Sequence, residues 1–292
     1  VFVSGIGCSS RFPYYINTYG FHGMHGRANP VASGIKVSNP NLSVWIVTGD
    51  GDSMAIGGNH FIHMIRRNIN VNVLLFNNKI YGLTKGQYSP TTPKGSVTKT
   101  SPDGTIENAF KPGELTMGAQ GTFFARTVDS DPKMMRKVFK AAAEHKGTSV
   151  VEILLNCVIF ANQVHNDITG KDVRDDHQIF LEHGKPMIFG KERKKGLMMK
   201  CNKMEVVTIG ENGVTEDDLI VHNAKDEDDT NHYRLVRMEL PDFPVAMGVI
   251  RAIDSTVYES EMFDQVQHAK KENKIKTMDQ LLNSGNVFES KG

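Results

Sequence analysis

Two apolar segments of strand length, each followed at once by polar residues, constrain the fold of this chain more than any other feature. Residues 42–48 are rich in β-branched and aromatic side chains and end at a Gly-Asp-Gly-Asp turn that contains Asp50. Residues 71–76 form a second such segment, which an Asn-Asn pair ending at Asn78 follows. Because a strand–helix–strand crossover brings both strand ends to the same edge of a parallel sheet, we expect Asp50 and Asn78 to meet there.

The segment between these two strands has helical periodicity. From Met54 to about Arg67 its apolar residues fit one helix face, and the same alternation continues further along the chain. Residues 123–128 and 150–155 have the composition of strands, and a helix that begins at Pro132 and ends near residue 147 separates them. This alternation predicts an α/β fold with a mostly parallel sheet and helices on both faces.

The polar residues at the two strand ends carry the ligands that a magnesium ion prefers. The carboxylate of Asp50, the amide oxygen of Asn78 and the backbone carbonyl of Ile80 would supply three hard oxygen ligands, and phosphates and water could complete the octahedron. Residues 81–93 then form a loop rich in hydroxyl and amide donors, of the kind that cradles diphosphates. On these residues alone, the alternative is that the Gly-Asp-Gly and Asn-Asn segments are ordinary turns and bind no metal.

Further blocks of sequence extend this pattern to a resemblance. The Gly-Asp-Gly to Asn-Asn pattern resembles the thiamine diphosphate motif. Together with the blocks Gly5–Ser10, His25–Ala32 and Gly86–Thr92, it resembles the β subunit of 2-oxoacid:ferredoxin oxidoreductases, and most of all the 2-oxoglutarate branch. The similarity covers residues 1–162, with a further match at residues 240–249.

The resemblance implies a thiamine diphosphate-binding fold in which Asp50, Asn78 and the Ile80 carbonyl hold Mg²⁺. It also implies that the cofactor is bound by a larger group of positions in the matching blocks. These are Cys8, Ser9, His25, Gly26, Arg27, Gly49, Asp50, Gly51, Asp52, Asn78, Ile80, Gly82, Leu83, Thr84 and Gln87.

The resemblance further implies a [4Fe-4S] cluster, for which Cys8 and Cys157 match two of the four cysteine ligands. The chain has three cysteines, so it cannot supply all four thiolates. We expect a truncated N-terminus with two further cysteines upstream of Val1; the alternative is a member without such a cluster. Cys201 is interpreted as a bystander thiol, and without the resemblance Cys8 and Cys157 would be interpreted as small core residues.

The activity that the resemblance implies is the oxidative decarboxylation of a 2-oxoacid, 2-oxoglutarate in the first place, to acyl-CoA and CO₂. Electrons would pass through the cluster to ferredoxin. The chain would act with an α subunit, as a heterodimer or an α2β2 assembly, and a glutamate of that subunit would activate the cofactor, so no catalytic residue is assigned here. The alternatives are a pyruvate or branched-chain enzyme, a non-redox thiamine diphosphate decarboxylase or synthase, and a non-catalytic phosphate-binding subunit.

Composition restricts the partners and the compartment. The 292 residues carry a net charge of +1, which gives no reason to expect nucleic acid as a partner. There is no apolar run of about 18 residues or more, so no membrane span is predicted. Three cysteines do not make a disulfide framework, which favours a reducing compartment. The sequence therefore predicts a cytoplasmic enzyme subunit.

The character of the chain changes after Asn162. We interpret residues 1–162 as the thiamine diphosphate-binding domain and residues 163–292 as an irregular C-terminal extension that packs on this domain and on the partner subunit. The extension contains a basic run, Lys191–Lys195. This run would either help to dock an acidic ferredoxin or form a solvated loop.

Overall fold

A computed structural model describes residues 1–288 and 290, and an eight-stranded sheet forms the centre of the molecule. In spatial order across the sheet, the strands are β2 (Gly20–His22), β1 (Phe2–Ser4), β3 (Trp45–Gly49), β4 (Asn72–Asn77), β6 (Ser149–Leu154), β5 (Phe123–Val128), β11 (Val245–Ala252) and β7 (Gln178–Leu181). All neighbours from β2 to β5 run parallel, whereas β11 is antiparallel to β5 and parallel to β7. The predicted mostly parallel sheet is confirmed.

Helices cover both faces of this sheet. The α-helices of the described residues are α1 (Phe12–Tyr15), α2 (Ala28–Ser38), α3 (Gly58–Arg66), α4 (Pro112–Gly118), α5 (Pro132–Glu144), α6 (Asn166–Thr169), α7 (Arg174–His177), α8 (Thr230–Arg237), α9 (Tyr258–Glu272) and α10 (Met278–Leu282). Side chains of α2, α3, α4 and α8 share one apolar core with one face of the sheet, and α5 packs on the other face. Strand residues alternate between the two cores, as the pleat requires.

The register between β3 and β4 decides where the two predicted ligand loops lie. Trp45 pairs with Asn72, and Gly49 at the end of β3 pairs with Phe76 near the end of β4. The loop that starts at Asp50 and the Asn-Asn pair therefore leave the same edge of the sheet side by side. Parallel α/β sheets bind their ligands at this edge.

The predicted elements are present, with shifts at their ends. The predicted strand 42–48 begins at Trp45, where the register with Phe2 of β1 and Asn72 of β4 starts. The predicted helix from Met54 begins later, because a π-helical turn over Asp52–Ile56 precedes α3. Strand 123–128 has the predicted bounds.

The segment after Asn162 is built in several pieces. It adds β7 and β11 to the main sheet and forms a separate antiparallel sheet in the order β10 (Lys203–Thr208), β9 (Lys195–Lys200) and β8 (Ile188–Phe189). Helices α9 and α10 then follow β11, and most of their residues are exposed. Among the residues that the structure describes, no helix combines the length and the apolar character needed to cross a membrane.

Candidate cofactor site

A cavity of about 630 Å³ opens at the carboxyl ends of β1, β3 and β4. This volume is in the range of cofactor sites. Of the fifteen positions predicted to bind the cofactor, thirteen line this cavity. These are Cys8, Ser9, His25, Gly49, Asp50, Gly51, Asp52, Asn78, Ile80, Gly82, Leu83, Thr84 and Gln87.

Gly26 and Arg27 do not line the cavity. The Gly26 N–H donates to the Asp52 carboxylate at 2.6 Å, and the Arg27 guanidinium donates to the carbonyl of Ile56 at 3.3 Å. Both residues therefore stabilise the loops behind the cavity wall. Six apolar and aromatic residues outside the predicted set of fifteen also line the cavity, namely Ile6, Phe12, Tyr15, Phe76, Tyr81 and Leu155.

Asp50 is a buried carboxylate at the floor of the cavity, 2% exposed. Its Oδ2 accepts hydrogen bonds from the Ser89 hydroxyl at 2.6 Å and from the Thr91 hydroxyl at 2.5 Å. Burial raises the pKa of Asp50, and these two hydroxyls oppose the rise. A buried carboxylate without a cationic side chain beside it is a suitable ligand for a divalent cation.

The other two predicted magnesium ligands lie at the same wall. Asn78 and Ile80 both line the cavity, and the Asn78 side-chain oxygen accepts the backbone N–H of Ile80 at 3.2 Å. This local turn fixes the direction of the Asn78 amide. The structure therefore brings Asp50, Asn78 and Ile80 to one cavity from two separate strand ends.

A chain of buried polar side chains supports Asp50 from behind. The Thr91 hydroxyl lies 2.9 Å from the side-chain oxygen of Asn77, whose amide nitrogen donates to Glu152 at 2.7 Å. Glu152 in turn forms an ion pair of 2.7 Å with Arg126. Burial by itself would raise the pKa of Glu152, but the Arg126 guanidinium and the Asn77 amide hold it below its ordinary value.

The Asp52 carboxylate ties three loops together at the cavity wall. It accepts the N–H groups of Ile6 at 3.1 Å and Gly26 at 2.6 Å, and the Thr48 hydroxyl at 2.7 Å. His25 Nδ1 lies 3.0 Å from the same carboxylate. A Cβ on Gly5 would lie 1.9 Å from Asp52 Oδ2, so the approach of this carboxylate requires a glycine. The Asp52 side chain thus organises the cavity wall.

Tyr81 closes the wall above the Gly-Asp-Gly turn. Its hydroxyl donates to the Gly51 carbonyl at 3.1 Å. Burial, together with the nearby Asp50 and Asp52 carboxylates, raises the pKa of Tyr81 to about 12. The phenol therefore stays neutral at physiological pH and acts as a hydrogen-bond donor.

Cys8 and Cys157 meet at the rim of the cavity although 149 positions separate them in the sequence. A Cβ placed on Gly82 would lie 3.3 Å from the Cys157 sulfur and 3.4 Å from the Cys8 sulfur. Burial, and then the neighbouring Cys157 thiol, raises the pKa of Cys8. Cys201 lies in the exposed turn between β9 and β10. Within residues 1–288 and 290, no three His, Cys, Asp or Glu side chains form a metal-binding group.

The loop 81–93 was predicted to cradle a diphosphate, but three of its hydroxyl side chains contact protein groups instead. Ser89 and Thr91 contact Asp50, and the Thr92 hydroxyl donates to the Lys79 carbonyl at 2.6 Å. These hydroxyls hold the ligand loops and do not face the cavity. The sequence signal was present in the Ser-Pro-Thr-Thr run, but only the fold shows what the hydroxyls contact.

Comparison with known protein families agrees with this geometry. Residues 5–153 match the family described as thiamine pyrophosphate enzyme, C-terminal TPP binding domain. The match contains both strand ends that form the floor of the cavity and ends shortly before Cys157.

Two curated relatives cover most of the chain. The 2-oxoglutarate oxidoreductase subunit KorB of Mycobacterium tuberculosis is 45% identical over 271 residues, which are 92% of this chain and 72% of the relative. The 2-oxoglutarate synthase subunit KorB of Archaeoglobus fulgidus is 39% identical over 208 residues, which are 70% of this chain and 78% of the relative.

A solved structure has the same fold over nearly the whole chain. It is the 2-oxoglutarate:ferredoxin oxidoreductase from Magnetococcus marinus with 2-oxoglutarate, coenzyme A and succinyl-CoA bound. The TM-score is 0.74 at 28% sequence identity, and the alignment covers 98% of this chain and 82% of that one.

Proposed function

Because the chain belongs to the thiamine pyrophosphate-binding β-subunit family of the 2-oxoglutarate oxidoreductases, we propose that it is the cofactor-binding half of a 2-oxoglutarate:ferredoxin oxidoreductase. The reaction would convert a 2-oxoacid and coenzyme A into acyl-CoA and CO₂, releasing one proton and two electrons. The electrons would pass singly to ferredoxin.

The observation that carries this proposal is the convergence of two ligand pairs on one cavity. Asp50 and Asn78 line the floor, and the sulfurs of Cys8, which also lines the cavity, and Cys157 both approach Gly82 at its rim. A thiamine diphosphate enzyme without redox chemistry would need only the first pair. The second pair favours an enzyme that passes electrons to a metal cluster.

The donor set at the floor fits a magnesium ion bound to a diphosphate. Asp50 supplies a buried negative charge, and Asn78 and the Ile80 carbonyl supply neutral oxygens at the same wall. Thiamine diphosphate, when bound, supplies the carbanion and the electron sink for decarboxylation. Around it, Tyr81 holds the Gly51 turn and the apolar side chains of Phe76 and Leu155 would keep water away from the ring system.

The chemistry also requires a partner subunit. Two carboxylates line the cavity. Asp50 is the proposed magnesium ligand, and Asp52 accepts hydrogen bonds from the surrounding loops. The described lining contains no glutamate that could activate the cofactor. Tyr14 and Tyr15 beside the cavity are 71% and 74% exposed, and Val158 next to Cys157 is 77% exposed. An α subunit that covers this apolar rim would bury it and bring the activating glutamate. Two copies of each chain would form an α2β2 assembly.

Coenzyme A-dependent oxidation of 2-oxoglutarate is the test of this proposal. The chain, produced together with its α subunit and supplied with thiamine diphosphate and Mg²⁺, should reduce methyl viologen or ferredoxin when 2-oxoglutarate and coenzyme A are present. Pyruvate and branched-chain 2-oxoacids should give at least tenfold lower kcat/KM, and the chain alone should be inactive. Full activity of the chain alone, or 2-oxoglutarate decarboxylation without reduction of an acceptor, would overturn the proposal.

We further propose that Cys8 and Cys157 are two of the four ligands of a [4Fe-4S] cluster. Their sulfurs face one point next to Gly82. Two thiolates do not complete such a site, so the other two would come from outside these 292 residues. The run Lys191–Lys195 is exposed on the extension. Its positive charge would attract an acidic ferredoxin.

Replacing either of these cysteines with serine should remove the cluster, because serine leaves the iron with a poorer ligand than thiolate. We expect iron and sulfide content to fall from four of each per chain to less than one, with loss of the visible absorbance near 400 nm. Ferredoxin reduction should fall at least 100-fold. Cys201→Ser is the matched control and should keep the cluster; equal iron content in all three variants would show that Cys8 and Cys157 are not ligands.

A further inference from the structure

A second cavity of about 230 Å³, lined by both charged and apolar residues, lies behind the cofactor cavity and shares no lining residue with it. The end of β4 separates the two cavities. Asn78 lines the cofactor cavity, whereas its neighbours Asn77 and Lys79 line the second one. The proposed function gives the second cavity no role.

The lining of this second cavity is positively charged. It contains four cationic side chains, Lys79, Lys111, Arg126 and Arg237, and two carboxylates, Glu152 and Glu239.

Three of the four cations have an anionic partner. Arg126 pairs with Glu152 at 2.7 Å, Lys111 with Glu239 at 2.8 Å, and Arg237 with Glu114 at 3.4 Å.

Lys79 is the exception. Its ammonium group forms no ion pair or hydrogen bond with any residue in the ranges 1–288 and 290, although the side chain is half-buried. The carboxylates of Asp167, Glu152 and Glu239 lie near this ammonium group but beyond ion-pair distance. The Lys79 ammonium therefore lines this cavity without a counter-charge in contact.

His165 adds a second unsatisfied group to the same cavity. It is 1% exposed, and its Nε2 lies 3.0 Å from the Asn77 carbonyl, so Nε2 carries the hydrogen. Its Nδ1 is buried and has no hydrogen-bond partner among the residues that the structure describes. In the neutral imidazole, Nδ1 is then an acceptor that lacks a donor. Buried polar atoms of this kind are rare and call for a ligand or water.

We propose that the second cavity binds a hydrogen phosphate group, either as inorganic phosphate or as a phosphomonoester. Such a group supplies both a negative charge for Lys79 and a hydrogen-bond donor for His165 Nδ1. Its negative oxygens accept from the Lys79 ammonium, and its P–OH donates to His165 Nδ1. A carboxylate or a sulfate supplies the charge but no hydroxyl, so it satisfies only Lys79.

Binding of inorganic phosphate to the assembled enzyme tests the proposal. The enzyme is first saturated with Mg²⁺ and thiamine diphosphate in a phosphate-free buffer, so that the cofactor site is filled. Calorimetric titration should then show saturable binding of phosphate at one site per chain that Lys79→Met weakens at least tenfold. Lys79→Arg should restore binding to within about threefold of the wild type, because it keeps the charge.

Lys137→Met is the matched control, because Lys137 is an exposed lysine outside this cavity, and it should leave phosphate binding unchanged. Sulfate should bind at least tenfold more weakly than phosphate. Glycerol phosphate binding as tightly as phosphate would identify a phosphomonoester as the ligand, and weaker binding would identify inorganic phosphate. Absence of saturable phosphate binding, equal binding by Lys79→Met, or equal affinity for sulfate would overturn the proposal.

A second measurement needs only the wild-type enzyme. Crystals of the complex soaked in arsenate, which has the same charge and hydroxyl as phosphate, should show an anomalous peak between Lys79 Nζ and His165 Nδ1. A cavity without this peak would overturn the proposal even if the Lys79 variants failed to fold.

Discussion

Asp50→Asn should weaken the Mg²⁺-dependent binding of thiamine diphosphate by roughly 100-fold or more, since changes that only support a metal ligand already cost 10- to 100-fold. The substitution keeps the shape of the side chain, and the asparagine oxygen can still accept from Ser89 and Thr91. What it removes is the negative charge that faces the cation. Titration of thiamine diphosphate at fixed Mg²⁺, on the assembled enzyme, measures the effect.

Asp129→Asn is the control for this experiment, because Asp129 is an exposed aspartate that does not line the cofactor cavity. Its cofactor affinity should stay within about twofold of the wild type. The Asp50 variant should unfold at a temperature no lower than the cofactor-free wild type, since burying an amide costs less than burying a carboxylate. Cofactor affinity unchanged in Asp50→Asn would exclude Asp50 as a magnesium ligand.

Arg126→Met should lower the free energy of unfolding by roughly 3–5 kcal/mol, which is the usual cost of removing one member of a buried ion pair. The Arg126 and Glu152 side chains are 7% and 3% exposed, so the ion pair is largely removed from bulk water. Glu152 also holds the amide of Asn77, which contacts Thr91 beside Asp50. We therefore expect weaker cofactor binding together with the loss of stability.

The pH dependence of this loss has a definite sign. In the wild type the pKa of Glu152 lies below its value in the unfolded chain, about 4.3. Its stabilisation is therefore complete above that pH and is lost as the pH falls through the folded pKa. Without Arg126, burial raises the pKa of Glu152, so the variant loses stability as the pH rises above about 4.3. The deficit should be larger at pH 7 than at pH 4.

Urea unfolding at several pH values, followed by circular dichroism, measures this difference. Lys137→Met is a matched control, because it breaks an ion pair of 3.2 Å with Glu182 whose side chains are 66% and 48% exposed. It should cost about 0–1 kcal/mol with little dependence on pH. A loss below about 1 kcal/mol for Arg126→Met would mean that the Arg126–Glu152 pair does not stabilise the fold.

The sequence was sufficient for the elements that local pattern and chain connectivity control. The β-branched runs that became β3 and β4, with a helix between them, predicted the parallel pairing. That pairing places the loop at Asp50 beside Asn78. This inference needs only the handedness of the crossover, which holds for nearly all such units.

Patterns in the sequence could not show which side chains would contact each other across the sheet. Glu152 on β6 and Arg126 on β5 are separated by 26 positions, and Asn77 meets Glu152 across 75. Their pairing follows from the strand order, in which β6 lies between β4 and β5. The same order places Lys79, which follows β4, and His165, which follows β6, at the second cavity.

Local pattern and chain connectivity thus determined the sheet edge, the ligand types and the family of this protein. The tertiary structure alone decided that Ser89 and Thr91 hold Asp50, that Asp52 ties loops together, and that a second charged cavity exists. The physical reason is that a strand, a turn and a crossover depend on neighbouring residues. Hydrogen bonds between distant side chains depend on strand order and register, which only the packed chain establishes.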